Sequence, residues 1–237
     1  MTQEEWRMRK KILSRFAANH MKEYSSIYMF VMVLFLMGVI FGAIIVNSLS
    51  IDQKEDLFYY LNQFFEQLSK GNVANADDLF RLSFWHNVKY LGLIWILGIS
   101  IIGLPIILVL LFLKGIVIGF SVGFLVNQMG WNGFFLSFVT VLPQNLFIIP
   151  IFIFMAVISV GFSLKIIRKI FIKKAMNVQT TPLLLRYVFS LAFAILFVTI
   201  AAAVEAHLSP YMMKSIINNM NNSFVHFFIQ HNIFIIN

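Results

Sequence analysis

The sequence predicts an all-α integral membrane protein with about five transmembrane helices, one broken or kinked near Pro143, and an amphipathic extracytoplasmic helix. Hydrophobic residues make up 60% of the 237-residue chain and charged residues only 12%. An ordinary soluble domain has about a quarter of its residues charged. Several apolar runs also exceed the roughly 20 residues that a helix needs to cross a bilayer. A single membrane domain over residues 1–237 is therefore expected.

The charge and the absence of cysteine narrow the function classes. The net charge is +8, but Lys and Arg cluster at the ends of apolar runs, where they orient membrane helices. The lipid bilayer, and not nucleic acid, is therefore the expected partner for this charge. The lack of cysteine excludes thiol catalysis, disulfides and thiolate metal sites. The histidines lack the spacing of zinc ligands, so no cofactor and no metal are expected.

The first elements are a basic segment, residues 1–26, and an apolar span, residues 27–46. The apolar run is longer than the roughly 7 to 15 residues of a signal-peptide core and lacks a small-x-small cleavage site, which predicts a retained signal-anchor. The basic residues before it place the N-terminus in the cytoplasm. They also favour contact with anionic lipid.

An acidic segment, residues 47–87, is predicted to lie outside the cytoplasm, because the positive-inside rule holds basic residues on the cytoplasmic face. Its acidic and amide residues fit helix starts, as in Ser50-x-x-Gln53 and Asn75-x-x-Asp78. Apolar residues then recur at helical spacing and form a candidate partner-docking face. Its members are Leu57, Leu61, Phe64, Phe65 and Leu68. Such a face either lies on the bilayer or the spans, or docks a partner.

Residues 88–164 are long enough for three spans. A break is predicted near Pro105 and Lys114, with a cytoplasmic turn if Lys114 reaches the interface. The next span carries glycines at a four-residue spacing, which lets helix backbones approach closely. These helix-packing glycines are Gly115, Gly119 and Gly123. Packing within the chain is favoured over a seam between copies, which leaves a homo-oligomer as the alternative.

The stretch "LPQN" interrupts the last of these spans. Pro143 removes a backbone donor and predicts a helix end or kink, while Gln144 and Asn145 can pair with the freed groups. This intramembrane polar break is interpreted either as glue between helices or as the lining of a cavity. A basic cytoplasmic loop over residues 165–182, a span over residues 183–208 and an extracytoplasmic tail over residues 209–237 complete the chain.

No catalytic site is predicted. The acids of residues 47–87 belong to helix starts instead of forming a carboxylate pair for sugar cleavage. Ser163 and His207 are expected at opposite membrane boundaries, so they cannot form a serine hydrolase site.

Three stretches carry a resemblance to a known family. They are "SSIYMFVMVLFLMGVIFGAIIVNSLSIDQKEDLFYYLNQFF", the glycine-spaced span and "LPQNLFIIPIFIF". Together they resemble the stage II sporulation protein M family of endospore-forming Bacillus relatives. The resemblance extends to about residue 210. The wider family shows Pro-His-Gly followed by Glu at the break, whereas this chain has Pro143, Gln144 and Asn145.

The resemblance implies a non-catalytic membrane scaffold for the peptidoglycan-remodelling machinery that drives forespore engulfment. The implied partners are hydrolases resembling stage II sporulation proteins D and P. The implied location is the bacterial cell membrane, on the mother-cell side of the septum and in the engulfing membrane. The alternative, suggested by the broken helix, is a small permease or transporter-like membrane subunit.

Overall fold

A computed structural model describes residues 3–69, 76–171 and 184–207. The helices are α1 (Gln3–Ser48), α2 (Ile51–Ser69), α3 (Ala76–Ile99), α4 (Gly103–Thr140), α5 (Leu142–Phe171) and α6 (Leu184–His207). Every element of the described chain is a helix, which confirms the all-α class. The basic N-terminal segment continues into the first span as one helix. The predicted tail, residues 209–237, lies outside the described residues.

The capping pattern predicted at the start of α2 is confirmed. The backbone N–H of Ser50 donates to Gln53 Oε1 at 3.1 Å, and the backbone N–H of Gln53 approaches Ser50 Oγ at 3.3 Å. Two backbone donors that the helix leaves unpaired are thus satisfied reciprocally. Asp52 occupies the first turn, where its charge complements the helix dipole.

Four helical segments of the described chain are long and apolar enough to cross a membrane: Tyr24–Ser48, Gly103–Trp131, Asn145–Ile170 and Leu184–His207. This establishes a membrane protein with several spans, but α3 is not among them. The first 14 residues of α3 are too polar, because they carry Asp77, Asp78, Arg81 and Lys89. The prediction of five spans is therefore not confirmed by apolar length alone.

Helices α1 and α4 run parallel. A Cβ atom placed on Gly115 would lie 2.5 Å from the carbonyl oxygen of Phe35. Further along both helices, Asn127 donates to the side-chain oxygen of Asn47 at 3.3 Å. The residue numbers of the partners increase together, so both helices point in the same direction.

Helices α3 and α6 run antiparallel. Trp95 near the end of α3 contacts Tyr187 at the start of α6, and Ser83 near the start of α3 contacts Glu205 at the end of α6. Helix α5 runs parallel to α3, with contacts of Tyr90 to Phe152 and of Ser163 to Gly98. Helix α4 runs antiparallel to α3, since Gly103 lies against Leu97 and the Tyr90 hydroxyl donates to the Leu110 carbonyl. Consequently α1, α4 and α6 point one way, and α3 and α5 point the other way.

The helix directions predict that α3 also crosses the membrane. Because α1 and α4 are parallel, the chain between them has to return through the thickness of the bundle. The 24 residues of α3 measure about 36 Å at 1.5 Å per residue, enough for a hydrocarbon core of about 30 Å. We expect a cysteine replacing Tyr60 to react with a membrane-impermeant maleimide in intact cells, and one replacing Arg168 to be protected. Labelling at residue 168 but not at residue 60 would contradict this topology.

The main hydrophobic core joins five helices and centres on α5. Its buried members include Val31 of α1, Leu91 of α3, Leu111 of α4, Met155 of α5 and Val198 of α6. In the span of α5, 61% of the residues are buried inside the protein, against 22–33% in the other candidate spans. Helix α5 is therefore the central helix, and the others surround it.

The break predicted near Pro105 and Lys114 is a turn at residues 100–102, close to Pro105, and not at Lys114. Pro105 is tolerated in the first turn of α4, where a missing N–H leaves no helix acceptor unpaired. Gly103 lies directly against the Leu97 carbonyl, so the connection is tight. Lys114 therefore lies well inside α4 and directs its ammonium into the bundle.

A kink at Gly130, which was not predicted, divides α4. Gly130 has φ 56° and ψ −132°, a conformation that glycine adopts without the steric cost of a Cβ atom. The segment after it folds back, so that Leu136 packs with Leu125 and Met129 in a second buried cluster. Leu61 of α2 packs against the same cluster. The kink thus holds α2 near one end of the bundle.

Candidate functional site

A polar cluster lies between α3 and α6, at the level where α6 nears its end. Ser83 Oγ donates to Glu205 Oε2, and the Asn87 amide donates to the Ser83 carbonyl at 2.9 Å and lies 3.3 Å from Ser83 Oγ. Ser83 is 8% exposed and Asn87 only 2%. The cluster is therefore internal to the bundle, and its hydrogen bonds lower the cost of enclosing a carboxylate.

Lys114 of α4 adds a positive charge to this cluster. Its Nζ atom lies 5.8 Å from the centroid of the Tyr90 ring and 5.2 Å from that of Phe152, within the range of cation–π attraction. The carboxylate of Glu205 also attracts the ammonium electrostatically. The Tyr90 hydroxyl donates to the Leu110 carbonyl at 2.5 Å, which fixes its ring beside Lys114. A Lys and a Glu from two helices thus attract each other inside an apolar bundle.

The chemistry that these groups support is electrostatic attraction and hydrogen bonding. Among the described residues, no group of three or more His, Cys, Asp or Glu side chains can hold a metal ion. Ser163 donates to the Gly98 carbonyl at 2.6 Å, and a His207 ring nitrogen lies 2.9 Å from the Ala203 carbonyl. The two side chains lie near opposite ends of the bundle, so they do not form a nucleophile–base pair.

A second polar cluster joins α3, α5 and α6 near the opposite end of the bundle. The Tyr187 hydroxyl donates to the Trp95 carbonyl at 2.6 Å and lies 3.0 Å from Ser159 Oγ. In return, Trp95 Nε1 donates to the Tyr187 carbonyl at 3.1 Å. The Tyr187 ring stacks on Phe162 with centroids 4.1 Å apart, and the residue is 2% exposed. These reciprocal contacts lock the start of α6 onto its neighbours.

The three glycines of the predicted packing stripe all face α1. A Cβ atom on Gly119 would overlap the Val39 carbonyl, and one on Gly123 would lie 2.9 Å from Ala43 Cα. From the other side, Gly38 and Gly42 of α1 lie against the backbone of α4 in the same way. We call this contact the glycine seam; it comprises Gly38, Gly42, Gly115, Gly119 and Gly123. It joins two helices of one chain at backbone distance.

The polar break lies at the junction of two helices. Helix α4 ends at Thr140 and α5 begins at Leu142, which places Pro143 in the first turn of α5. The Asn145 amide donates to the Val141 carbonyl at 2.7 Å. The side chains of Pro143 and Gln144 lie outside the described set. The prediction of a helix end at Pro143 is confirmed. Because α4 has already turned at Gly130, this break lies at the start of the candidate span Asn145–Ile170.

The predicted docking face of α2 is partly used inside the protein. Leu57 and Leu61 are half-buried, and Leu61 packs on the cluster of Leu125, Met129 and Leu136. The side chains of the other predicted members, Phe64, Phe65 and Leu68, are not described. On another side of the helix, Tyr59 and Tyr60 are 64% and 66% exposed. The contact of Leu61 therefore agrees with the alternative in which this face packs on the spans.

Comparison with known protein families agrees with this architecture. The family model for stage II sporulation protein M matches residues 31–210. The chain belongs to this family. The family assignment makes it a sporulation-related membrane protein, and the matched region covers the glycine seam and both polar clusters. No curated protein and no solved structure shows a significant match to the chain.

Sequence reasoning missed the residues that build the polar cluster. Glu205 was passed over as part of an apolar span, and Lys114 was assigned to an interface. A usable signal was present, because an ionisable residue in a span is costly and generally faces a partner inside the bundle. Ser83 and Asn87 have no such signal, since small polar residues are common at the ends of spans.

Proposed function

We propose that the chain is a non-catalytic membrane scaffold that anchors peptidoglycan-remodelling enzymes during forespore engulfment. The proposed partners are hydrolases resembling stage II sporulation proteins D and P, and the proposed location is the mother-cell side of the septum and the engulfing membrane. Membership in a sporulation family supports the process. A scaffold needs a rigid membrane body and a surface that contacts a partner. The packed helical bundle corresponds to the first, and the exposed side chains of α2 correspond to the second.

The observation that carries the proposal is the exposure of aromatic side chains on α2. Tyr59 and Tyr60 are about two-thirds exposed, and their rings contact each other edge to face with centroids 6.0 Å apart. The charge distribution predicts an extracytoplasmic position for this helix. Tyrosine is enriched at the centres of protein interfaces, because it buries a large rigid ring and retains a hydrogen-bonding hydroxyl.

The packing of Leu61 makes this surface suitable for an anchor. Leu61 holds α2 against the cluster of Leu125, Met129 and Leu136, so the exposed Tyr59 and Tyr60 of the same helix are presented at a constant position. We therefore shift the proposed partner surface from the leucine face to Tyr59 and Tyr60. Confining a hydrolase there would raise its effective concentration at the wall without changing its active site.

Replacing both Tyr59 and Tyr60 with Ser is expected to release the hydrolases from the septal membrane while the variant remains inserted and abundant. Interface aromatics of this kind contribute about 2 kcal/mol or more each when they are hot spots. Fluorescence localisation of the two hydrolases in sporulating cells measures the release, and immunoblotting of membranes measures the abundance. Trp131→Ser is the matched control, since Trp131 is 79% exposed on a different helix. Normal hydrolase localisation in the double variant would refute this surface.

One observation favours a second candidate function, a small permease or transporter-like subunit. Lys114 and Glu205 place an ionisable pair within the bundle, and intramembrane ionisable groups often mark solute or proton paths. The two functions differ in what this pair must do. A scaffold requires only that Lys114 and Glu205 be neutral as a pair. A transport path requires that these groups exchange protons or bind the solute.

A further inference from the structure

One face of α3 forms an open groove that neither proposed function uses. The groove has a volume of about 930 Å³. Its lining includes Asp78, Arg81, Trp85, His86, Lys89 and Leu93. Trp85 is 55% exposed and Leu93 44%, so the groove presents apolar side chains beside its charges. All of these positions recur at helical spacing on the same side of one helix.

The groove has an excess of positive charge. Among the described residues, Arg81 and Lys89 face it together with one carboxylate, that of Asp78. Within the described ranges, neither basic side chain has an ion-pair or hydrogen-bond partner. The two cations therefore exceed the described negative charge of the groove by one. An anionic occupant is the chemical complement of this arrangement.

The depth of the two cations points to a lipid. Ser83 lies level with Glu205, close to the described end of α6. Arg81 therefore lies at the membrane boundary, and Lys89 lies eight residues farther along α3, or about 12 Å into the bundle. A lipid-facing lysine at that depth is costly unless its stem extends toward the headgroups and its ammonium meets a phosphate there.

We propose that this groove binds an anionic phospholipid. The headgroup phosphate lies between Arg81 and Lys89, and an acyl chain lies along Trp85 and Leu93. The C-terminal tail, outside the described residues, is the less suitable occupant, because residues 208–237 contain Lys214 and no acidic side chain. The site does not depend on the scaffold proposal, since lipid retention is measured on the chain alone.

The full-length protein in detergent micelles, titrated with phosphatidylglycerol, provides the test. The apparent affinity of Arg81→Gln/Lys89→Gln is expected to be about 30-fold weaker than that of the parent, because each basic residue near anionic lipid contributes roughly a fivefold factor. Native mass spectrometry measures the retained lipid. The charge-preserving variant Arg81→Lys/Lys89→Arg should retain it. The control Arg168→Gln/Arg186→Gln removes two exposed cations elsewhere and should also retain it.

A second measurement leaves the cations unchanged. The parent has no cysteine, so a single cysteine replacing Leu82, which is 72% exposed beside the groove, can carry a fluorophore. In nanodiscs, spin-labelled phosphatidylglycerol should quench this fluorophore more strongly than spin-labelled phosphatidylcholine. A cysteine replacing Leu146, 59% exposed near the corresponding end of α5, should show no preference.

Three outcomes would overturn the lipid assignment. The first is equal loss of phosphatidylglycerol in the two double Gln variants, because it would indicate general charge attraction. The second is retention of inorganic phosphate alone at the same concentration. The third is retention of phosphatidylglycerol only after deletion of residues 208–237 and none by the full-length protein, because it would show that the tail occupies the groove.

Discussion

Gly119→Leu should prevent the chain from accumulating as a folded membrane protein. Even a Cβ atom at this position would overlap the carbonyl oxygen of Val39 and lie 2.8 Å from its Cα atom. These are backbone atoms, so the clash cannot be relieved by rotating a side chain, and α1 and α4 have to move apart. Overpacking of this kind costs about 1–3 kcal/mol, and more where backbones are in contact. Membrane abundance and thermal unfolding in detergent measure the effect.

Gly92→Leu is the matched control for the glycine seam. Gly92 also lies within a helix, but a Cβ atom there would meet nothing within 4 Å. The control should accumulate and unfold like the parent. Equal loss in both variants would show that the effect arises from general intolerance of larger residues. Normal folding of Gly119→Leu with a changed oligomeric state would instead place the seam between copies of the chain.

Lys114→Met should strongly destabilise the bundle. The substitution preserves an unbranched apolar stem but leaves the Glu205 carboxylate without the nearby positive charge that attracts it. Loss of an attracting charge inside an apolar bundle costs up to about 3 kcal/mol on insertion scales. Thermal unfolding of the purified protein measures the effect.

The double variant Lys114→Met/Glu205→Gln distinguishes charge compensation from transport. Removal of both charges should restore much of the lost stability, because pairs of buried charges can be replaced by neutral groups at little net cost. If the chain is a scaffold, this variant should also support normal engulfment. A stable and abundant double variant that fails in engulfment would favour the permease. No recovery of stability would contradict the proposed compensation between the two residues.

Sequence alone was sufficient for the features that depend on composition and local spacing. The apolar runs required a membrane solvent, since so few charged residues cannot form a soluble surface. The Ser50 and Gln53 pair predicted the start of α2, because its hydrogen bonds join residues three apart. The glycine spacing placed small residues on one helical face. Each of these inferences uses the helical repeat or the hydrophobicity of a continuous stretch.

Only the tertiary structure determined what those local features contact. The glycine stripe lies against Val39 and its neighbours because α1 and α4 are parallel, and no local pattern encodes that direction. Gly130 turns α4 because its φ is positive, whereas the adjacent residues would equally suit a straight helix. Lys114 and Glu205 lie on helices far apart in the chain, so their attraction exists only once the bundle has formed. Long-range packing selects these partners, and packing depends on the shapes of whole helices rather than on neighbouring residues.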